Sequence, residues 1–233
     1  MKNLIKKKNK KIFKKIKIYL LKINHKLKIC KINILNKKIE FLSINFISGK
    51  NNFRRKYNRK KEILIRAVRI KKQKKIIILD ATAGLGKDSF ILASFGYKVF
   101  MIEKNKIIYN LLKNCLYRTF EDSKIGSWVK KNMILFHKNS LNFLKSKKII
   151  PDVIYLDPMF LKNRRSSTKK DISILKIILH GKKNTKNLLK KSILFAKKKV
   201  VVKRFLKAPH LEKIKPTNII YGKKYRFDIY QKF

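Results

Sequence analysis

The chain has 233 residues, 45% of them apolar, which suits one main domain with a small appendage and one sizeable core. It carries 64 Lys and Arg against 12 Asp and Glu, a formal charge of +52, so it favours polyanions, above all nucleic acid, with strongly salt-dependent binding. Only Cys30 and Cys115 are present, without a CxxC pair, and His25, His137, His180 and His210 form no metal-ligand pattern; this argues for a reducing compartment and against a disulfide framework or a zinc site, and no metal is expected.

In chain order, residues 1–24 are low-complexity Lys/Ile/Asn, and the expectation is a frayed segment or a basic amphipathic helix. Its best apolar run, Ile12 to Ile23, is broken by Lys14, Lys15, Lys17 and Lys22, too short and too charged to span a bilayer. With no small-residue cleavage site behind it, the expected location is cytoplasmic, with no membrane partner. Residues 25–61 are expected to form a small β subdomain and connector. Lys26–Ile32 and Ile39–Phe46 alternate with period two, the mark of antiparallel strands, and Gly49 to Lys61 is polar and basic. Residues 62–233 form the main domain. Glu62 to Ile70 is helical, with Ile63, Ala67 and Ile70 on one face. Short apolar strands then alternate with helices: strands at Ile76–Leu79, Lys98–Ile102, Met133–His137, Val153–Leu156 and Lys199–Val202, helices at about Lys87–Phe95 and Lys106–Phe120. That alternation predicts an α/β fold with a parallel sheet covered on both faces. Asn218–Tyr221, Gly222-Lys223-Lys224 and Tyr225–Tyr230 close the chain as an antiparallel hairpin. Five parallel strands and a final hairpin are the layout of the Rossmann-like class I methyltransferase sheet, whereas a dinucleotide dehydrogenase continues with parallel units.

Two motifs carry the chemistry. Ile78-Leu79-Asp80-Ala81-Thr82-Ala83-Gly84-Leu85-Gly86-Lys87-Asp88 is a buried strand running into a glycine turn that opens a helix, where free amides and a close backbone suit a ligand. It is no Walker loop, because Ala81 replaces the first glycine and Asp88 the Ser or Thr after Lys87; Ser89 breaks the dehydrogenase pattern at its third glycine. The D-x-x-x-G-x-G spacing fits S-adenosylmethionine enzymes. Glu103 lies about 20 residues past the turn at the tip of the second strand, where an acid accepts from ribose hydroxyls. Asn139 and Ser140, after the third strand, are placed to meet an adenine edge.

The second motif is Asp157-Pro158-Met159-Phe160, at the end of the strand Val153–Leu156. An exocyclic base amine is a weak nucleophile because its lone pair is delocalised into the ring. Acceptors at the Asp157 side chain and the Pro158 carbonyl engage its hydrogens and turn the lone pair toward a methyl donor, and Phe160 stacks on the base. The rate then comes from positioning and electrostatics rather than a strong base. Lys162, Arg164 and Arg165, with Ser166, Ser167 and Thr168, follow as a loop able to grip phosphates; Arg54, Arg55, Lys56 and Arg59 are a second candidate RNA contact. Lys is spread along the whole chain, so charge alone locates no binding face.

The stretch Leu79–Asp88, the strand end Met101-Ile102-Glu103-Lys104-Asn105, Tyr155–Phe160, Val200-Val201-Val202-Lys203-Arg204 and Arg226-Phe227-Asp228-Ile229-Tyr230, in that order, resemble the small-subunit ribosomal RNA methyltransferase J family (RsmJ). The resemblance covers roughly residues 45 to 233. It implies an S-adenosylmethionine-dependent enzyme methylating the N2 amine of a guanosine in 16S rRNA, with 16S rRNA or the small ribosomal subunit as partner. It also implies cofactor contacts at Lys87, Asp88, Glu103, Lys104, Asn139, Ser140 and Asp157, beside Asp80, Gly84 and Gly86 of the turn. Lys87 stands where the family tends to have Arg, and Asn139 where Ser is usual. Two other readings remain open: an adenine-N6 nucleic-acid methyltransferase, which uses the same Asp-Pro-x-aromatic tip but ordinarily needs a target-recognition domain, and a non-catalytic rRNA-binding assembly factor, which would not need to keep both motifs.

Overall fold

The computed structural model describes residues 3–4, 16–57, 62–147, 149–158, 170–179 and 187–232. A four-stranded antiparallel sheet comes first, with β1 (Asn3–Leu4), β2 (Ile16–Ile23), β3 (Lys26–Asn33) and β4 (Ile39–Leu42) side by side in chain order. β2 occupies part of the segment expected to be frayed or helical. Ile16-Lys17-Ile18 alternates with period two, β-branched residues favour a pleated surface, and β3 supplies the partner that a lone segment lacks. Asn24 and His25, at φ 47° and 59°, make the two-residue turn that a hairpin's twist demands.

The basic connector folds as α1 (Gly49–Tyr57), and α2 (Ile63–Val68) follows. The main unit then runs β5 (Ile77–Asp80), α3 (Lys87–Ser94), β6 (Lys98–Ile102), α4 (Lys106–Phe120), α5 (Gly126–Asn132), β7 (Met133–Phe136), α6 (Ser140–Lys145), β8 (Val153–Leu156), α7 (Lys170–Ile178), α8 (Leu188–Phe195), β9 (Lys199–Phe205), β10 (Asn218–Tyr221) and β11 (Tyr225–Gln231). The seven strands lie in the order β10-β11-β9-β8-β5-β6-β7, parallel except where β11 inserts antiparallel between β9 and β10. The expected α/β sheet with a closing hairpin is thus the observed one. The order reverses between β5 and β8, and open α/β sheets bind ligands at such a switch point.

Burial explains the apolar strands. Val153, Ile154, Tyr155 and Leu156 of β8 are fully enclosed, as a parallel strand covered on both faces must be. On one face Ile78, Tyr155 and Val201 join Phe90 of α3, Leu112 of α4 and Val129 of α5; on the other Leu79, Ile154 and Val202 join Phe143 of α6 and Leu189 of α8. In α4 the buried residues Ile108, Leu111, Leu112, Cys115 and Thr119 recur at helical spacing, and Asn105 caps the first turn by accepting from the Ile107 and Ile108 amides. The N-terminal sheet shares the first core through Ile29 and Leu42, with Ile44 and Phe46 just beyond it. Asn114 of α4 fixes its position, accepting from the Leu27 amide and donating to the His25 carbonyl, each at 2.9 Å. Among the described residues no helix is long and apolar enough to cross a membrane.

Candidate active site

The carboxyl ends of β5, β6, β8 and β9 deliver one cluster of polar side chains to the switch point. At the end of β5, Gly84 and Gly86 adopt φ 53° and 69°, left-handed values that favour glycine. The turn is tied by Gly86 N–H to the Ala83 carbonyl (2.8 Å) and by Ala83 N–H to the Ile102 carbonyl (3.2 Å). A Cβ on Gly86 would lie 2.7 Å from Leu112 Cδ1 and 3.3 Å from Phe46 Cζ, so the turn is seated directly on α4 and on the end of the N-terminal segment. Phe46 in turn stacks on Phe90 of α3, ring centroids 4.5 Å apart. Asp80 is 2% exposed and accepts from the Thr82 amide (3.0 Å) and the Ser89 hydroxyl (2.5 Å). Burial outweighs those two hydrogen bonds and pushes its carboxyl up to about 7. Both of its oxygens are therefore engaged, one by the turn and the other by α3.

Glu103 sits at the tip of β6, 8% exposed. It accepts from the Gly84 amide at 3.1 Å and the Asn105 amide at 2.6 Å, which aims the carboxylate across the glycine turn. Burial raises its pKa against the pull of those amides. Lys87 and Lys104 are exposed at the first positions after the turn and after Glu103. Beyond β7, Asn139 caps α6 through the Leu141 and Asn142 amides, and the Ser140 hydroxyl donates to the Ala81 carbonyl at 2.5 Å. Ser140 thus fastens the third strand end to the first motif, while Asn139 starts the helix that carries it. His137 meets the Lys104 carbonyl at 3.2 Å and stacks on Tyr109.

Asp88 and Asp157 are joined by a residue that motif reading assigned no role, Lys203 of β9. Its ammonium lies 2.6 Å from Asp88 Oδ2 and 3.0 Å from Asp157 Oδ2. Asp88 also accepts from the Tyr155 hydroxyl (2.8 Å) and from Arg54 of α1 (2.8 Å), and Arg54 holds Glu62 with two further hydrogen bonds. Burial alone would raise the Asp88 pKa; the charges of Lys203 and Arg54 overcome it and hold the carboxyl well below the usual range. For Lys203 the two carboxylates outweigh burial and raise the pKa, so the ammonium stays charged. Asp157 is different. Its side chain is 39% exposed, its amide donates to Thr82 Oγ1 at 2.6 Å, and the desolvation of its surroundings and the nearby Asp88 charge raise its pKa against Lys203. Among the described residues Asp88 accepts from three side chains, whereas the Asp157 carboxylate meets Lys203 through Oδ2. Pro158 is buried beside it.

Phe160 lies outside the described residues, as do Lys162, Arg164, Arg165, Ser166, Ser167, Thr168 and Arg59. Of the basic run in α1, Arg54 is turned inward onto Glu62 and Asp88 rather than toward a partner. Arg55 pairs with Asn52, and Lys56 is exposed. Sequence reasoning missed the inward role because nothing in a run of cations says which one has acids folded against it.

The family model for SAM-dependent methyltransferases matches residues 3–232. The ribosomal RNA small subunit methyltransferase J of Buchnera aphidicola subsp. Schizaphis graminum is 45% identical over 194 residues, covering 82% of this chain and 78% of that protein. The chain belongs to the methyltransferase J family. The member from Shewanella pealeana is 37% identical over 201 residues, 84% of this chain and 79% of that one. A crystal structure of a SAM-dependent methyltransferase from Neisseria gonorrhoeae superposes with a TM-score of 0.72 at 27% identity, covering 92% of this chain and 82% of that one. S-adenosylmethionine is accordingly the cofactor of this methyltransferase J family chain, and the switch point fits it. A Cβ on Gly84 would meet only the Thr82 carbonyl, at 3.8 Å, so the turn leaves room beside Glu103 that a side chain would fill. The Glu103 carboxylate, itself held by backbone amides, is an acceptor suited to ribose hydroxyls. Among the described residues no group of three or more His, Cys, Asp or Glu could hold a metal ion.

Proposed function

We propose that this methyltransferase modifies the exocyclic N2 amine of a guanosine in 16S rRNA. The observation that carries the reading is the half-exposed Asp157 carboxylate, held by Lys203 through one oxygen and next to the glycine turn at the switch point of the sheet. When bound, S-adenosylmethionine supplies an electrophilic methyl on a sulfonium sulfur. The chain's own residues do the rest by placement. Gly84, Gly86 and the amides at the start of α3, with Lys87 and Lys104 beside them, shape the cofactor cradle, and Glu103 takes the ribose. Ser140 holds the β7 end against the turn, Asn139 caps the helix beside it where the adenine lies, and Asp80 and Asp88 fix the turn and α3 from within.

Asp157 and the Pro158 carbonyl accept from the hydrogens of the amine and fix its lone pair along the line of transfer, and Phe160 stacks on the base. The Thr82 hydroxyl, accepting from the Asp157 amide, locks the second motif to the first. The RNA substrate is supported by the names of the relatives and by a charge of +52 that favours a polyanion.

The test is methyl transfer from labelled S-adenosylmethionine to rRNA taken from a strain lacking the enzyme, followed by nucleoside analysis. The expected product is labelled N2-methylguanosine in 16S rRNA. Label in N6-methyladenosine would overturn the base assignment, and no label despite cofactor binding would leave a binding protein on a methyltransferase fold.

A further inference from the structure

Next to the reaction centre the sheet presents an aromatic surface that neither motif includes. Phe205, the last residue of β9, and Tyr225, the first of β11, are cross-strand partners. Their ring centroids are 5.0 Å apart, and they remain 49% and 40% exposed. Lys203 lies on the same face two residues earlier, and its ammonium reaches both Asp157 (3.0 Å) and the Tyr225 ring (5.1 Å to the centroid). A single ammonium group therefore separates the ring from the carboxylate of the transfer site. Lys207, Lys223 and Lys224 are exposed in the segments that follow β9 and precede β11.

The segment after Phe205 is held from the opposite face of the sheet by two buried arginines. Arg226 donates to the carbonyls of Phe205 (3.3 Å), Leu206 and Ala208 (2.7 Å), and Arg204 to that of Pro209 (3.1 Å). Arg226 is fixed in turn by Asp228, which is fully buried and also accepts from His210 Nδ1 at 2.8 Å. Single exposed apolar residues need no explanation. An aromatic pair on a braced strand end, flanked by lysines and next to the catalytic carboxylate, has the composition of a stacking platform for single-stranded nucleic acid.

We infer that Phe205 and Tyr225 stack an unpaired nucleotide adjacent to the target guanosine, with Lys207, Lys223 and Lys224 meeting its phosphates. The occupant is RNA, by charge complementarity and because every base offers a π face. This inference rests on the reading of the chain as an rRNA methyltransferase.

The test uses the full chain with Phe205→Leu, which keeps apolar bulk and removes the ring, and Tyr225→Phe, which keeps the ring. Dissociation constants for 16S rRNA and for S-adenosylmethionine are measured directly, beside steady-state kinetics, and melting temperatures confirm folding. Phe205→Leu is expected to raise the RNA dissociation constant and KM about ten-fold or more, the range for one lost base stack. Its cofactor affinity, its kcat at saturating RNA and the salt slope of its RNA binding should not move. Tyr225→Phe should resemble the parent, and Lys223→Ala should lower the salt slope by about one. Unchanged RNA affinity in Phe205→Leu overturns the platform, as does an equal loss of cofactor affinity. If the parent chain labels no rRNA, the functional reading fails, and the binding constants still decide the platform on their own.

Discussion

Asp88 and Asp157 share one lysine yet titrate in opposite directions because their surroundings differ. Asp88 has Lys203 and Arg54 against burial and stays ionised; Asp157 has only a share of Lys203 and is pushed upward. In the proposed role the ionised carboxylate is the stronger acceptor for the amine, so activity should fall as pH drops through the raised Asp157 pKa. Lys203→Met removes the group that lowers this pKa, and the acid limb of the kcat/KM profile is expected to move to higher pH; a limb that stays in place would remove Lys203 from the site. Asp157→Ala is expected to lower methyl transfer by a hundred-fold or more, the scale of losing one preorganised electrostatic contact. Its RNA affinity should change little, since phosphate contacts dominate affinity.

Asp80 gives a stability effect of definite sign. Its folded-state pKa of about 7 lies above the model-peptide value of 3.8, so the folded chain holds its proton longer than the unfolded one. Stability from this group is complete below the unfolded value and is lost as pH rises toward and through 7, by up to about 4 kcal/mol. Urea titrations from pH 4 to 8 should show that decline beyond the background of other groups, and Asp80→Asn should flatten it.

At the scale of elements, the glycine turn is where backbone conformation and packing meet. Gly86→Ala puts a Cβ at a left-handed φ, costing about 1–2 kcal/mol, and presses it into Leu112, which adds overpacking of similar size. A drop in unfolding free energy of at least about 2 kcal/mol and weaker S-adenosylmethionine binding are expected from denaturation and calorimetry. A variant of parental stability would show that the turn relaxes freely. The elements themselves were largely legible in the sequence. The five parallel strands announced themselves as short apolar runs because both faces of the sheet are covered, and the closing hairpin by its Gly-Lys-Lys interruption. β2 and α1 were not legible: the alternation in β2 lasts only over Ile16-Lys17-Ile18, α1 is polar and basic, and their conformations come from partners, β3 for the strand and the acids Glu62 and Asp88 for the helix.

At the scale of the whole molecule, with a charge of +52, binding of the proposed RNA substrate is expected to be dominated by counterion release. The association constant for 16S rRNA is expected to fall about 10³-fold between 50 and 200 mM salt, as for six or more phosphate contacts. A shallow dependence in a titration series would mean that most of the lysines face solvent rather than RNA.

The sequence by itself determined the α/β class, the family and the places of the glycine turn and the Asp157-Pro158 tip at strand ends, because each depends on local order: glycines where φ is positive, apolar runs where a strand is enclosed, an acid where a strand ends. Tertiary structure decided what joins these pieces. Lys203, Tyr155 and Arg54 come from strands and a helix far apart in the chain, and only the sheet order β9-β8-β5 and the docking of α1 bring them to one pair of carboxylates. Phe46 behind the glycine turn and the Phe205–Tyr225 pair beside Asp157 are likewise products of packing and register, which no spacing along a single chain encodes.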